Sequence, residues 1–516
     1  MITLSGGFFT RITLAALFCA AFPILLRAQA GSGELTGEVR DPSAAVVVGA
    51  RVSLTQNDTN QTFSSVTSDA GIYSFSSLKP GMYDLAVEAT GFKRFVHEQI
   101  RVITGERLRV DVDLQIGSTG ESITVTSDVS PLRTELPSMG QGVKTETIGA
   151  LPLNGRNFVP LVGLIPGVAL PPGQLFPRLN GGRPRTNEYL YDGISVLQPE
   201  PGQVAFYPII DAIQEFNVQT SVPSAAFGRF NGGVINLTTR SGSNAYHGTL
   251  FEFFRHEGLN ARNLFQPATA ANPAKPEYRR NQFGGVFGGP IVKDHTFFFV
   301  DYQGTRQRIA KTITSTVPTL AQRNGDFSSS LGALLFRTPG GTVTTTAAGN
   351  APITATNTAG NVIQVRNGMI FRPSDHRAYV GNLIPVNTFD PVAAALLSRF
   401  PSPTTTGASN NFTRTATEPD QQDQFDVRLD HRFSDRDQMF GRYSYFRDDT
   451  SPVTALPDGS GAAAANSLAT GPQLTTGQSF ASNYVHTFTP NLLNEARMGY
   501  TRRTIDRAAL LLAVDR

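Results

Sequence analysis

The sequence has a single cysteine, Cys19, in 516 residues, which excludes an intramolecular disulfide and a metal site built from cysteines. Charge is also scarce, since charged residues make up 16% of the chain and the formal net charge is +3. No cluster of lysine and arginine is long enough to follow a phosphate backbone, which argues against a nucleic-acid partner. Tryptophan is absent, whereas 49 glycines indicate a chain rich in turns and favour β-structure over a helical bundle.

The motifs of common enzymes are missing as well. The chain has no Gly-x-Ser-x-Gly elbow, no His-Glu-x-x-His pair and no phosphate-binding loop that ends in Gly-Lys-Ser or Gly-Lys-Thr. Its seven histidines are scattered, so no set of metal ligands can be assembled from them. We therefore predict a protein that is not an enzyme, with no catalytic residue, no metal and no cofactor.

The first 30 residues have the order of a secretory signal peptide. One positive charge precedes an apolar run over residues 12–26, and the small residues Ala28 and Ala30 then flank a cleavage point. A transmembrane anchor is the alternative, but the run is short for a spanning helix. Bulky Phe18 before Cys19 does not fit a lipoprotein site. No later stretch is apolar enough for a membrane helix, so a membrane location would require a β-barrel.

Short strands and tight turns follow over residues 33–117. Val52 and Leu54 fall on one face of a period-two segment, and residues 107–114 alternate apolar and charged side chains in a single strand. This regular spacing predicts a β-sandwich.

The same region resembles the carboxypeptidase regulatory-like domain, a transthyretin-like β-sandwich. The matching segments are Gly37-Glu38-Val39, Gly49-Ala50-Arg51-Val52, Thr67-Ser68-Asp69-Ala70-Gly71-Ile72-Tyr73, Leu78-Lys79-Pro80-Gly81-Met82-Tyr83 and Thr90-Gly91-Phe92. The resemblance implies an accessory domain over residues 31–118 that carries no peptidase zinc ligands. His97 stands alone, without the helical His-Glu pattern of such a site.

A β-prone peptide lies in the linker over residues 119–138. It consists of Glu121, Ser122, Ile123, Thr124, Val125 and Thr126. An exposed peptide of this kind adds as a strand to the edge of a partner's sheet. The peptide resembles a TonB box, through which TonB is coupled to a plug. The alternatives are a last strand of the sandwich and a plain linker.

Residues 139–242 combine short strands, one helix and glycine-rich turns. The apolar residues Phe158, Leu161, Val162 and Ile165 recur at helical spacing before Pro166-Gly167 ends the helix. Residues 188–191 read as a strand, and a helical turn near residue 211 leads into a strand that reaches residue 218.

Five blocks in this region resemble the plug of TonB-dependent transporters, in the Oar-like branch that carries an N-terminal regulatory-like sandwich. In chain order they begin at Leu153, Asn180, Tyr189, Ile213 and Gly232. The residues that we take as the plug motif are Asn154, Gly155, Arg156, Asn157, Gly181, Gly182, Arg183, Asp192, Gly193, Gly232 and Gly233.

Residues 243–516 contain amphipathic strands. In the clearest one, Phe425, Val427 and Leu429 share one face while Asp426, Arg428 and Asp430 share the other. An apolar face opposite a charged face fits a strand between lipid and a wet lumen, although a soluble sandwich alternates in the same way. The stretch 308–419 has little periodicity and is expected to be an extracellular loop.

Transporters of the resembled family close a barrel of about 22 strands, and only a minority of these can be placed after His247. We therefore expect the sequence to be the N-terminal part of a longer protein.

The predicted fold is mainly β: a transthyretin-like sandwich, an α+β plug and a partial antiparallel transmembrane barrel. The resemblance implies TonB-dependent transport of a bulky extracellular solute across the outer membrane of a Gram-negative-type bacterium. The implied partners are TonB with ExbB and ExbD, and outer-membrane lipid, with the sandwich in the periplasm. The alternative is a surface adhesin that binds matrix through long loops.

Overall fold

The computed structural model describes residues 32–118, 122–126, 139–144, 148, 151, 153–172, 174–198, 202–221, 228, 230–262, 264, 268, 275–460, 471–489 and 492–507. The predicted signal peptide with Ala28 and Ala30, residue Glu121 and most of the linker lie outside the described residues. The architecture is mainly β, as predicted, and consists of a sandwich, a central domain and a long antiparallel sheet. Among the described helices, none combines the length and the apolar character that a membrane crossing needs.

The N-terminal sandwich contains two sheets. Its strands are β1 (Gly33–Arg40), β2 (Arg51–Gln56), β3 (Gln61–Val66), β4 (Ile72–Leu78), β5 (Gly81–Glu88), β6 (Arg94–Val102), β7 (Arg107–Arg109), β8 (Val112–Asp113) and β9 (Ser122–Thr126). One sheet has the order β4-β1-β7, with β8 also paired to β1, and the other has the order β3-β2-β5-β6-β9.

Alternating side chains from both sheets form the sandwich core. Val52 and Leu54 are fully buried, as their shared face predicts. A buried aliphatic side chain of this size contributes about 1.5–3 kcal/mol relative to an exposed one. Only glycine fits at position 37, because the backbone of Val110 passes so close that a Cβ atom would lie 1.8 Å from its carbonyl oxygen. The prediction of one strand over 107–114 is wrong in detail, since β7 and β8 are separate strands that pair with successive parts of β1.

A sandwich with its own core is expected to fold alone. Residues 32–118 should melt in one cooperative transition and retain no stoichiometric zinc after dialysis. Calorimetry and metal analysis of the purified domain test both points. Bound zinc together with peptidase activity would contradict the accessory role.

The central domain follows the linker. Its elements are β10 (Met139–Lys144), α1 (Val159–Val162), β11 (Val168–Ala169), β12 (Arg178–Leu179), β13 (Glu188–Tyr191), β14 (Ile194–Ser195), a 3-10 turn (Ile210–Ala212), β15 (Ile213–Ser221) and β16 (Val234–Thr239). Five strands form a sheet in the order β10-β15-β16-β13-β14, and β11 pairs with β12.

The predicted helix is present but shorter than its apolar pattern. Phe158, Leu161, Val162 and Ile165 are all buried in the core of the central domain, so the predicted face is confirmed. The helix itself is one turn long, with Pro160 near its start and Gly163 at its end. The predicted strand at 188–191 and the turn that leads into β15 are confirmed.

Seven long strands form one antiparallel sheet, which we call the wall sheet. In chain order and in spatial order they are β17 (His247–His256), β18 (Tyr278–Val292), β19 (Thr296–Ser315), β25 (Phe412–Arg432), β26 (Asp437–Thr450), β27 (Gln473–Thr489) and β28 (Leu492–Arg507). A strand needs only about 9–11 residues to cross the hydrocarbon core, so strands such as β25 are long enough to do so and to extend beyond it.

The two faces of β25 in the wall sheet differ as predicted. Val427 and Leu429 are 38% and 49% exposed, whereas Asp426, Arg428 and Asp430 are at most 4% exposed. The charged side chains of β25 therefore face the central domain and the apolar ones face outward, which suits a lipid-facing surface.

Connections at one end of the wall sheet are short and those at the other end are long. Residues 293–295 and 433–436 form two short ones, β28 begins three residues after the last residue of β27, and the longest of the others spans 316–411. Short turns mark the periplasmic end of such barrels.

The long connection 316–411 contains small elements of its own. They are α2 (Leu320–Arg323), β20 (Phe336–Arg337), β21 (Val343–Thr344), β22 (Ala351–Pro352), β23 (Thr354–Thr356), β24 (Val362–Gln364), α3 (Pro391–Arg399), and 3-10 turns at Ser328–Ser330, Val380–Asn382 and Val386–Thr388, with a further one at Glu257–Leu259 in the connection before β18. The predicted loop boundaries at 308 and 419 are wrong, because paired threonines such as Thr312 and Thr415 extend β19 and β25.

Candidate functional site

The plug-motif residues lie in four separate turns of the central domain. Asn157 accepts a hydrogen bond from the N–H of Val159 at 2.9 Å and so begins α1. Gly181, Gly182 and Arg183 follow β12, and Gly181 has a positive φ of 77°. Asp192 and Gly193 form the tight turn between β13 and β14 with φ angles of 51° and 80°. Both positive angles suit the primed turns of a hairpin.

Gly232 and Gly233 pack where no side chain fits. A Cβ atom on Gly232 would lie 2.1 Å from the side-chain oxygen of Asn187, and one on Gly233 would lie 2.3 Å from the carbonyl oxygen of Gln219. These two glycines have a structural role, since they let the chain enter β16 beside its neighbours.

Asn154, Gly155 and Arg156 contact the wall sheet near the end with long connections. The Arg156 guanidinium lies 4.3 Å and 4.2 Å from the ring centres of Phe251 and Phe253. Arg255 and Arg280 both donate to the side-chain oxygen of Asn154, at 3.0 Å and 2.6 Å.

Asp192 is at the centre of a buried ion network. It pairs with Arg442 at 2.7 Å and with Arg428 at 3.3 Å, and it accepts hydrogen bonds from the N–H and hydroxyl of Thr239. The side chains of Asp192, Arg428 and Arg442 are at most 4% exposed. The Arg442 guanidinium also stacks 3.8 Å from the ring centre of Tyr191. The network fixes the β13–β14 turn to the charged face of the wall sheet.

The network extends into the sandwich. Arg428 pairs with Asp430 at 2.9 Å, and Asp430 accepts from the Lys79 ammonium at 2.7 Å. The sequence indicates that Asp426, Arg428 and Asp430 share a face, but it does not show that Asp192, Arg442 and Lys79 meet them. One sequence feature does point to such partners. Three charged residues lie on the same inward face of β25, and buried charges need buried counter-charges.

The turn between β6 and β7 inserts into the central domain. The Thr104 side chain is fully buried, and its hydroxyl contacts that of Thr238 at 2.8 Å. Its N–H donates to the carboxylate of Glu215, and its carbonyl oxygen accepts from Asn217 at 2.9 Å. No sequence motif predicts this contact.

Burial raises the pKa of Glu215, while the hydrogen bonds from Thr104 and the charge of Arg101 lower it and the charge of Glu106 raises it. Since the folded pKa is above the ordinary value, the docked state favours the protonated acid. The stability that protonated Glu215 contributes to the folded protein is complete below the ordinary pKa of glutamate and is lost as pH rises through the raised pKa of Glu215.

Glu215→Gln should therefore raise the melting temperature at pH 8 and leave it nearly unchanged at pH 5, because glutamine resembles the protonated acid. Thermal unfolding in detergent at both pH values tests this. A variant that melts below the original protein at pH 8 would contradict it.

The TonB-box candidate is extended, and it is paired within the chain. Residues Ser122 to Thr126 form β9, which pairs in parallel with β6 so that Phe95 is opposite Ile123 and His97 is opposite Val125. In the described part of the chain, β9 is the terminal strand of its sheet. The segment is thus the last strand of the sandwich sheet, and its other edge is where a further strand would add.

In the described residues, no three histidine, cysteine, aspartate or glutamate side chains gather as metal ligands would.

The family comparisons match two regions of the chain. The family model for "Outer membrane beta barrel domain" matches residues 238–511, and that for "Carboxypeptidase regulatory-like domain" matches residues 34–115. Among curated proteins, the chain is similar to "TonB-dependent transporter Oar" of Myxococcus xanthus, with 30% identity over 290 residues that cover 54% of this chain and 27% of that protein. The chain thus spans about a quarter of the length of this relative.

Solved structures of outer-membrane receptors also resemble the chain. A ferric enterobactin receptor (PfeA) of Pseudomonas aeruginosa matches 72% of this chain and 42% of its own, with 11% identity and a TM-score of 0.38. The outer membrane transporter YddB of Escherichia coli matches 71% and 48%, with 13% identity and a TM-score of 0.32. Because the barrel model alone covers more than half of the chain, this protein belongs to the outer-membrane β-barrel family and is a protein of the outer membrane.

Proposed function

We propose that this protein transports a bulky solute across the outer membrane in a step energised by TonB, with ExbB and ExbD as its motor. The central domain is then the plug, and the charged face of the wall sheet lines the pore. The observation that carries the proposal is the buried network of Asp192, Arg428 and Arg442, which holds the central domain on that face. The relative from Myxococcus xanthus is named as a TonB-dependent transporter, which supports the same function.

An ion network suits a plug that has to move. Buried ion pairs contribute little net stability compared with apolar packing, but they specify one position. When water enters, the separated charges of Asp192, Arg428 and Arg442 are hydrated again, which lowers the cost of moving the plug off this part of the wall. An apolar cluster of Ile209 and Ala212 with Val286 and Phe299 also joins the two and has to separate as well. A contact made of packed aliphatic side chains would resist this separation.

The coupling segment is β9. The unpaired edge of a terminal strand presents a row of N–H and C=O groups that a partner strand can bind. TonB would extend the sandwich sheet by one strand beside Thr124 and Val125. The solute would bind at the opposite end, where Asn154 lies between Arg255 and Arg280.

Photo-crosslinking in intact cells tests the proposed coupling. A photoreactive amino acid at Thr124, which is exposed on β9, should capture TonB on irradiation. The same residue at Ser43, in an exposed turn of the sandwich, is the matched control and should not capture it. Absence of a TonB adduct at Thr124, or equal adducts at both positions, would contradict the proposal.

A further inference from the structure

Three turns of the sandwich all contact the rest of the chain. In the turn between β2 and β3, Asn60 donates to Asp294 at 3.2 Å and the carbonyl oxygen of Asp58 accepts from the N–H of Asn244 at 3.0 Å. Between β4 and β5, Lys79 pairs with Asp430. Thr104 lies in the third turn, between β6 and β7.

These contacts are at the periplasmic end of the wall sheet. Asp294 is in the short turn before β19, and Asp430 is near the end of β25, just before the short turn 433–436. Ser77 at the end of β4 donates to Glu495 at 2.9 Å, three residues after β28 begins. The sandwich therefore contacts this end of the sheet at three places: the β18–β19 turn, β25 and β28.

A partly open pocket lies between the sandwich, the central domain and the wall sheet, and all three line it. The sandwich contributes Lys79 to its lining, the central domain contributes Ser241, and the wall sheet contributes Arg428. A solute that leaves the central domain at this end would meet the sandwich.

The contact between the sandwich and the central domain is polar and deeply buried. Thr104 is fully buried, and Glu215, Asn217 and Thr238 are at most 6% exposed. Polar interfaces between domains of one chain are those that separate and re-form, because each group can exchange its partner for water. The buried hydrogen bonds nevertheless make the closed state specific, since leaving any of them unpaired costs about 1–3 kcal/mol.

We infer that the sandwich is a periplasmic gate: it is docked on the central domain at rest and undocks when TonB pulls on β9. The inference rests on the proposed function. β9 pairs with β6 over five residue pairs, and β6 ends at Val102, two residues before Thr104. Force on β9 therefore reaches the Thr104 turn through one layer of strand hydrogen bonds.

Thiol labelling of Thr104→Cys in cells tests whether the turn leaves its site. The new cysteine should react with a membrane-permeant maleimide at least about tenfold faster in energised cells than in cells that lack TonB or are treated with a protonophore, because a buried thiol reacts only after local opening. Ser43→Cys, which is exposed, should react equally under all three conditions. Equal rates for Thr104→Cys under all three would overturn the gate.

A reversible lock provides the second test. Thr104→Cys with Thr238→Cys should form a disulfide, since the two hydroxyl oxygens are 2.8 Å apart, and the oxidised protein should show the loss of transport caused by deletion of TonB. A reductant should restore transport. The control is Thr55→Cys with Thr62→Cys, whose oxygens are 3.1 Å apart within the sandwich and whose disulfide should have no effect.

The two proposals fail in different ways. If TonB is captured at Thr124 and the locked protein still transports, the gate is wrong and the transport function stands. If TonB is not captured at Thr124, and Thr104→Cys is labelled at the same rate with and without TonB, both proposals are wrong.

Discussion

Asp192→Ala is expected to destabilise the docked central domain by about 3–5 kcal/mol, the usual cost of removing one partner from a buried ion pair. Arg428 and Arg442 would keep their charges in a site that excludes water, with one counter-charge fewer. Their remaining carboxylates, Asp430 and Asp426, also face other groups of the network. The central domain should then separate from the wall sheet far more often than in the original protein.

Two measurements follow this separation. Limited proteolysis of outer-membrane fractions should cut the central domain of Asp192→Ala much faster, and cells should become sensitive to vancomycin, which is too large for ordinary porins. Asp375→Ala removes an exposed ion pair with Arg372 in the connection 316–411 and should leave both readouts unchanged. Equal proteolysis of the Asp192→Ala variant and the original protein would show that the network does not hold the central domain.

Two proline substitutions in β9 should differ in their effect on TonB binding. Only the proline that removes a donor from the unpaired edge should abolish it. Neighbouring residues of a strand direct their N–H groups to opposite edges, so Thr124→Pro and Val125→Pro remove donors from different sides. The variant that loses the donor on the unpaired edge should reduce TonB capture by at least about tenfold at constant protein level, since strand addition depends on main-chain hydrogen bonds. The other variant should loosen β9 from β6 and retain most of the capture.

The photoreactive residue in this comparison is placed at Ser122, away from both substitutions. If both proline variants capture TonB as well as the original protein, β9 is only the last strand of the sandwich. If both lose capture and the sandwich also melts earlier, TonB binding requires the β6–β9 pairing itself, and the edge assignment is wrong.

Period-two patterns in the sequence predicted the clearest strands and their faces. Phe425, Val427 and Leu429 had to share a face because side chains alternate along any strand, and the structure places them opposite Asp426 and Arg428 as expected. The helix at Phe158 was predicted with the correct buried face but too long, because Pro160 and Gly163 limit it to one turn. Local pattern therefore determined which side of each element is buried.

The partners of those faces could not be predicted. Asp192 and Arg428 are 236 positions apart in the chain, and no spacing rule relates them. The docking of Thr104 on Glu215 depends on how two domains meet, and the sequence near residue 104 reads only as a turn. The pairing of β9 with β6 depends on tertiary contacts, which six β-prone residues do not specify.

The central claim is that this protein and TonB act in the same transport step. Comparative mass spectrometry of spent medium tests it without a known solute, by comparing cells of three kinds: the parent strain, a strain without this protein and a strain without TonB. The level of at least one compound in the medium should differ from that of the parent strain, and it should differ in the same direction in both deletion strains. A compound that is taken up would remain in the medium, and one that is exported would be missing from it. If deletion of this protein changes no compound that deletion of TonB also changes, the account is contradicted.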